Sequence, residues 1–130
     1  MVTKEQLIEA AWKARENAYA PYSQFMVGAA VLGEDGKVYT GCNIENAGYS
    51  ATVCAERTAV FKAVSEGHRR FKRIVVAGRS DSPCVPCGEC RQVLSEFAPE
   101  LEVICLDKDG NELTLSLTDL LPHSFNKSFL

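Results

Sequence analysis

No stretch of this 130-residue chain comes near the ~20 consecutive apolar residues that a membrane-spanning helix needs. The N-terminal run MVTKEQLIEAAWKAR also lacks the apolar centre of a secretory signal. A reducing, cytoplasmic setting is therefore expected, with no membrane partner. Charge of one sign is not in excess: 14 Lys and Arg stand against 17 Asp and Glu, a net of −3. That balance offers no electrostatic footprint for nucleic acid. Internal repeats, low-complexity tracts and linkers are absent, so residues 1–130 are expected to fold as one domain. A chain of this size buries roughly two-thirds of its unfolded surface and needs no covalent staple. Histidine is scarce as well, and neither His68 nor His123 falls in a metal-ligand pattern.

What is present reads as alternating elements. Thr3 followed by Gln6 is a capping-box pair, and Leu7, Ile8, Ala11, Ala14 and Ala18 continue at helical spacing, predicting a helix from Lys4 to Tyr19. FMVGAAVL (25–32) and VYTGCN (38–43) read as strands joined by the turn GEDGK. Residues 44–52 form a polar loop, and 53–66 are helical, with Gly67 as the stop. RIVVAG (73–78) is a buried strand, Pro86 opens a helix running through Phe97, and LEVICL (101–106) is a further strand. DKDGNE then turns the chain into LTLS (113–116), and Thr118 caps a short helix ending before Pro122. Strand–helix alternation in the middle implies parallel crossovers, with hairpins at both edges. The expected architecture is α/β, a five-stranded mixed sheet with helices on both faces.

Cysteine carries the chemistry. PCVPCGECRQVL (83–94) places Cys84, Cys87 and Cys90 at three-residue spacing, and Cys54 lies in ATVCAERTAVF (51–61). Cys87 and Cys90 share one face of a predicted helix start, and Cys54 sits at another. Helix N-termini favour thiolates, and clustering in a reducing compartment points to metal rather than disulfides. Cys54, Cys87 and Cys90 would leave a tetrahedral zinc with an open fourth position, the arrangement of a catalytic site. Adding Cys84 would instead give a closed zinc site or an iron–sulfur cluster. Cys84 precedes Pro86 in a stretch biased to extended backbone, so nothing holds it on the helix face. Cys42 and Cys105 fall inside strands and read as core.

Glu56 lies two residues beyond Cys54 and reads as a proton shuttle, not a ligand. Residues two apart on an ideal helix diverge by ~200°, so the glutamate has to reach around or the turn has to be distorted. Three thiolates on a divalent cation leave a charge of about −1, costly to bury unpaired. Arg57 and Arg91 directly follow the two metal segments and are candidates to donate hydrogen bonds to the sulfurs.

CAERTA (54–59) with PCGECRQV (86–93) resembles the zinc-dependent deaminase superfamily. FMVGAA, GCNIENA, CAERTA, PCGECRQV and LLPHSF, taken in order, look like a cytidine deaminase of the small, homotetrameric, three-cysteine type. The resemblance spans nearly the whole chain. It implies zinc on Cys54, Cys87 and Cys90, with Glu56 moving protons to the ring N3 and the leaving ammonia. It implies that Asn43 and Glu45 bind the ribose hydroxyls, that Phe25 packs against the pyrimidine and that the Ala55 backbone helps read the base. Ala47, Tyr49 and Phe125 would complete a neighbouring subunit's pocket. The implied fold is the three-layer α-β-α arrangement with strand order 2-1-3-4-5 and an antiparallel last strand. Glu89 stands where the family often has a small residue.

Three readings remain at this level. Ribose recognition through Asn43 and Glu45 favours a free nucleoside, cytidine or deoxycytidine, as substrate. A blasticidin-type deaminase of another cytosine compound would be expected to differ at Asn43-Ile44-Glu45. A non-enzymatic metal module would need Cys84 as fourth ligand and leave Glu56 without a task. Polynucleotide editing lacks the basic, aromatic-rich channel it requires.

Overall fold

A computed structural model describes residues 1–130. One five-stranded sheet runs in the order β2-β1-β3-β4-β5. Its strands are β1 (Val27–Gly33), β2 (Val38–Cys42), β3 (Phe71–Gly78), β4 (Glu102–Leu106) and β5 (Glu112–Ser116). Only β3 and β4 form a parallel neighbouring pair, and every other pairing is antiparallel. Because β1 runs against both β2 and β3, those two strands point the same way. The connection through α2 (Ala55–Ser65) and the one through α3 (Gly88–Phe97) are therefore both parallel crossovers.

Alternation along the strands builds two cores. Ala30, Val75, Ala77, Ile104 and Leu106 face α1 (Lys4–Arg15), meeting Leu7 and Ala11. Ala29, Val31, Ile74, Val76, Val103 and Cys105 face the opposite layer, where α2 and α3 pack. The three-layer expectation and the strand order are both met.

The α1 capping box is complete: Thr3 Oγ1 accepts from the Gln6 N–H at 3.1 Å, and Gln6 Oε1 accepts from the Thr3 N–H at 2.9 Å. The helix ends at Arg15 rather than Tyr19. Glu16, Asn17 and Ala18 close as tighter turns, each N–H reaching three residues back. Tyr19 is then claimed by a parallel bridge to Ile44, its N–H donating to the Asn43 carbonyl at 3.0 Å. Ala20 also precedes a proline, which disfavours helical backbone. The α2 stop falls where expected: Gly67 takes φ +92°, and the His68 N–H reaches back to the Ala63 carbonyl at 3.0 Å.

Three helix starts shift from expectation. Helix α2 begins at Ala55 rather than at residue 53. Cys87 is the N-cap of α3, which places Pro86 one residue outside the helix. Ser116 caps α4 (Leu117–Leu120), its Oγ accepting from the Thr118 N–H at 3.3 Å, so Thr118 is the protected donor rather than the cap.

Glycine fixes how closely two helices approach the sheet. A Cβ at Gly41 would lie 2.5 Å from the Ala59 nitrogen and 2.6 Å from the Ala55 carbonyl oxygen, so α2 crosses β2 backbone to backbone. Gly28 receives α1 in the same way, with a Cβ position 2.0 Å from the Ala11 carbonyl oxygen. Gly41→Ala is expected to destabilise the fold by about 1–3 kcal/mol, because backbone cannot yield as a flexible side chain does. Gly48→Ala, whose nearest contact is 3.4 Å away, should stay within about 0.5 kcal/mol of the parent. Urea unfolding of the two variants beside the parent checks this.

Candidate metal centre and substrate cavity

The C-terminal ends of β2 and β3 lie at the same edge of the sheet, where α/β folds assemble their sites. From β2 the chain passes through a loop closed by reciprocal hydrogen bonds between Ile44 and Val53 at 2.9 and 3.0 Å. That closure delivers Cys54 to the start of α2 as its N-cap, with extended φ −72° and ψ 159°. From β3 the chain delivers Cys87 to the start of α3 as its N-cap, with φ −69° and ψ 170°. The two N-termini converge. Because Cys54 stands outside the helical turn, the ~200° divergence expected between it and Glu56 on an ideal helix does not arise.

The Sγ atoms of Cys54, Cys87 and Cys90 all lie within 4.8 Å of one another, with Cys54 and Cys87 at 3.6 Å. A tetrahedral zinc with Zn–S bonds of ~2.3 Å requires sulfurs about 3.8 Å apart, so the donor set fits zinc without rebuilding the backbone. None of the six cysteines is in a disulfide, and Cys84 lies outside the three-thiol cluster. Cys84 is half-buried, and burial pushes its thiol up to about 12, with Glu56, Cys105 and Cys54 adding to the effect. The Cys84 thiol therefore stays protonated, as a small apolar wall. Cys105 is buried in a strand, as expected, while Cys42 is only partly buried.

Charge within the cluster is unevenly held. The hydrogen bond from Cys90 and the Arg57 guanidinium bring the Cys54 thiol down to about 5 against the opposing effect of burial. That same hydrogen bond, burial and the adjacent Glu56 push Cys90 up. The Cys54 thiolate thus forms readily and ionisation of Cys90 is resisted, so uptake of a divalent cation is coupled to proton release. Glu56 is only 4% exposed, and burial pushes its carboxyl up to about 7, which lets it hold or release a proton near neutrality.

The two arginines part company. Arg57 Nη2 donates to Cys54 Sγ at 3.6 Å and Nη1 to Glu89 Oε2 at 3.2 Å, while its buried Nε has no partner. Arg91 is engaged by backbone: Nε donates to the Pro86 carbonyl at 2.8 Å and Nη1 to the Leu120 carbonyl at 2.9 Å. It ties the approach to Cys87 to the end of α4 and makes no hydrogen bond to a thiol. Glu89, between Cys87 and Cys90, is largely exposed and is held only by its ion pair with Arg57.

Beside the thiols lies a cavity of about 270 Å³ whose walls include Phe25, Asn43, Glu45, Ala55 and Glu56 together with Cys54 and Cys87. Both ends of the Asn43 amide grip the chain entering β1: Oδ1 accepts from the Val27 N–H at 2.9 Å, and Nδ2 donates to the Phe25 carbonyl at 2.8 Å. Phe25 itself precedes the strand instead of opening it. Glu45 Oε1 accepts from the N–H groups of Tyr22 and Ser23 at 2.9 and 3.1 Å, and its Oε2 accepts from the Ser23 hydroxyl. Ser23, Thr52 and Val85 also line the cavity, with no site role in the sequence reading, and so does Cys84, which the sequence offered only as a fourth metal ligand. Ala47, Tyr49 and Phe125 lie outside this cavity, on the exposed surface.

Hydrogen bonding holds the Glu45 carboxyl below the ordinary glutamate range, the Ser23 hydroxyl first. Because the folded value is depressed, the tether's stabilisation is complete above the unfolded pKa of ~4.3 and is lost as pH falls through the folded value. Glu45→Gln should therefore show a shallower fall in Tm than the parent between about pH 5 and pH 3. Parallel slopes in thermal unfolding across that range would contradict the assignment.

A family profile describing the cytidine and deoxycytidylate deaminase zinc-binding region matches residues 1–106. The chain is 51% identical over 127 residues to a cytidine deaminase of Sporosarcina psychrophila, covering 97% of this chain and 93% of that one. It is 48% identical over 123 residues to a cytidine deaminase of Halalkalibacterium halodurans, covering 94% and 93%. The crystal structure of cytidine deaminase from Burkholderia pseudomallei superposes with a TM-score of 0.92 at 51% identity, covering 95% of this chain and all (100%) of that one. The thiol cluster lies within the matched zinc-binding region, and on these similarities the chain belongs to the cytidine and deoxycytidylate deaminase family.

Proposed function

We propose that this protein catalyses the zinc-dependent hydrolytic deamination of cytidine and 2′-deoxycytidine to uridine and 2′-deoxyuridine, releasing ammonia, in pyrimidine salvage. The observation that carries the reading is the meeting of three thiols at two helix N-termini with a buried carboxyl, Glu56, on the wall of the same cavity. Cys54, Cys87 and Cys90 would hold one zinc, and Arg57 would offset the charge of their sulfurs. Zinc bound there supplies Lewis acidity that makes water nucleophilic at neutral pH.

The chain's own groups do the rest. The Glu56 carboxylate takes a proton from the attacking water, delivers it to ring N3 and carries another to the amine leaving C4. Water adds at C4 and the C4–N4 bond breaks, so cytidine and water give uridine and ammonia. The Ala55 backbone reads the base edge, and Phe25 packs against the ring. Asn43 and Glu45 bind the ribose hydroxyls with the hydrogen-bonding capacity that their backbone contacts leave free. A site that pairs the 3′-hydroxyl, which both nucleosides carry, discriminates against compounds lacking it.

Tyr49 and Phe125, 77% and 57% exposed, support a homotetramer in which these residues and Ala47 complete a neighbour's pocket. The non-enzymatic reading is disfavoured because Cys84 stands apart from the cluster.

Loss of absorbance as cytidine is consumed, with ammonia and zinc measured on the same sample, tests the proposal. Glu56→Gln should keep about one zinc per chain while turnover falls by roughly 10²–10⁴-fold or more. Cys84→Ser should keep both zinc and turnover. A zinc-loaded parent inert toward both nucleosides, or an unimpaired Glu56→Gln, would contradict it.

A further inference from the structure

We infer that Gly78 and Cys84 together set where the ring of Phe25 stands, and so gauge the width of the cavity offered to the pyrimidine base. This deepens the deaminase reading and rests on it. Gly78 is the last residue of β3, and a Cβ there would lie 3.1 Å from Cys84 Sγ and 3.1 Å from Phe25 Cζ. The side chain missing at Gly78 is the space that the thiol and the ring tip share.

The backbones of both neighbours are held in place. The Cys84 N–H donates to the Leu106 carbonyl at 3.1 Å, at the end of β4, and its side chain packs on the larger core. The Phe25 backbone is held on both sides, its N–H donating to Ser23 Oγ at 3.0 Å and its carbonyl accepting from Asn43 Nδ2 at 2.8 Å. With the backbone pinned, the ring's position follows from the surface it leans on. Phe25 and Cys84 both face the cavity, on the walls that also carry Glu56. Atoms added behind the ring push it into the cavity, and atoms removed beside it let it fall back. Cys84 acts here by the space it fills, as a positioning residue and not a ligand.

The two residues thus make opposite predictions, which a merely structural role would not. The test compares kcat/KM for cytidine and 5-methylcytidine on zinc-loaded parent, Gly78→Ala, Cys84→Ala and Cys84→Ser. One added methyl in a close-fitting apolar pocket is worth about tenfold or more. The 5-methylcytidine to cytidine ratio should rise about tenfold in Cys84→Ala, fall about tenfold in Gly78→Ala, and stay unchanged in the isosteric Cys84→Ser. A ratio that is constant, or that moves the same way in both alanine variants, would overturn the inference. A crystal structure of Gly78→Ala gives a readout independent of turnover: the Phe25 ring should be displaced into the cavity, and an unmoved ring overturns the inference. A parent inert on cytidine would count against the deaminase reading, and the ring position would still decide the gauge.

Discussion

The convergence of two helix N-termini is the constraint on which the rest depends. α2 can begin where it does because Gly41 admits its backbone against β2, and α3 begins where β3 delivers it at the same sheet edge. At both starts the N-cap residue is a cysteine that makes no capping hydrogen bond with its side chain. A serine, threonine or aspartate in either position would spend its side chain on the helix. Here the side chains are free to turn toward each other, and the helix ends lend partial positive charge to the thiolates. Cys90 joins from one turn inside α3, buried, which fixes the third corner.

The polar residues around the cavity do structural work before any substrate arrives. Asn43 and Glu45 both grip the segment leading into β1, one through Phe25 and Val27, the other through Tyr22 and Ser23. The loop that carries Phe25 is therefore assembled by the residues assigned to the ribose. Under the proposed function, preorganisation of this kind lowers the entropy cost of binding and couples sugar recognition to the placement of the aromatic wall.

Much of this was legible in the sequence, because local signals and tertiary demands agree. The Thr3–Gln6 capping box, the Gly67 stop, the two hairpin turns and the alternating apolar strands all act over short range. The misses arise where a distant partner decides. Tyr19 leaves the helical pattern because it pairs with Ile44, a contact that no periodicity reveals. Arg91 follows a metal ligand in sequence, yet its guanidinium is drawn to the Pro86 and Leu120 carbonyls. Spacing predicted the thiol cluster because cysteines at a helix start have few places to point. It did not predict Ser23, Thr52 or Val85 on the cavity, since such residues leave no chemical signature in the chain. Cys84 was visible as an extra thiol, but its neighbours Gly78 and Phe25 are adjacent only in the folded structure.

On the proposed function three thiols, not four, hold the metal and leave one position for chemistry. X-ray absorption at the zinc edge on the purified protein tests it most directly, because it counts sulfur neighbours. Three sulfurs at ~2.3 Å with one light atom completing the shell is the expected result. Four sulfurs, with one lost in Cys84→Ser, would mean a closed structural site and would contradict the account.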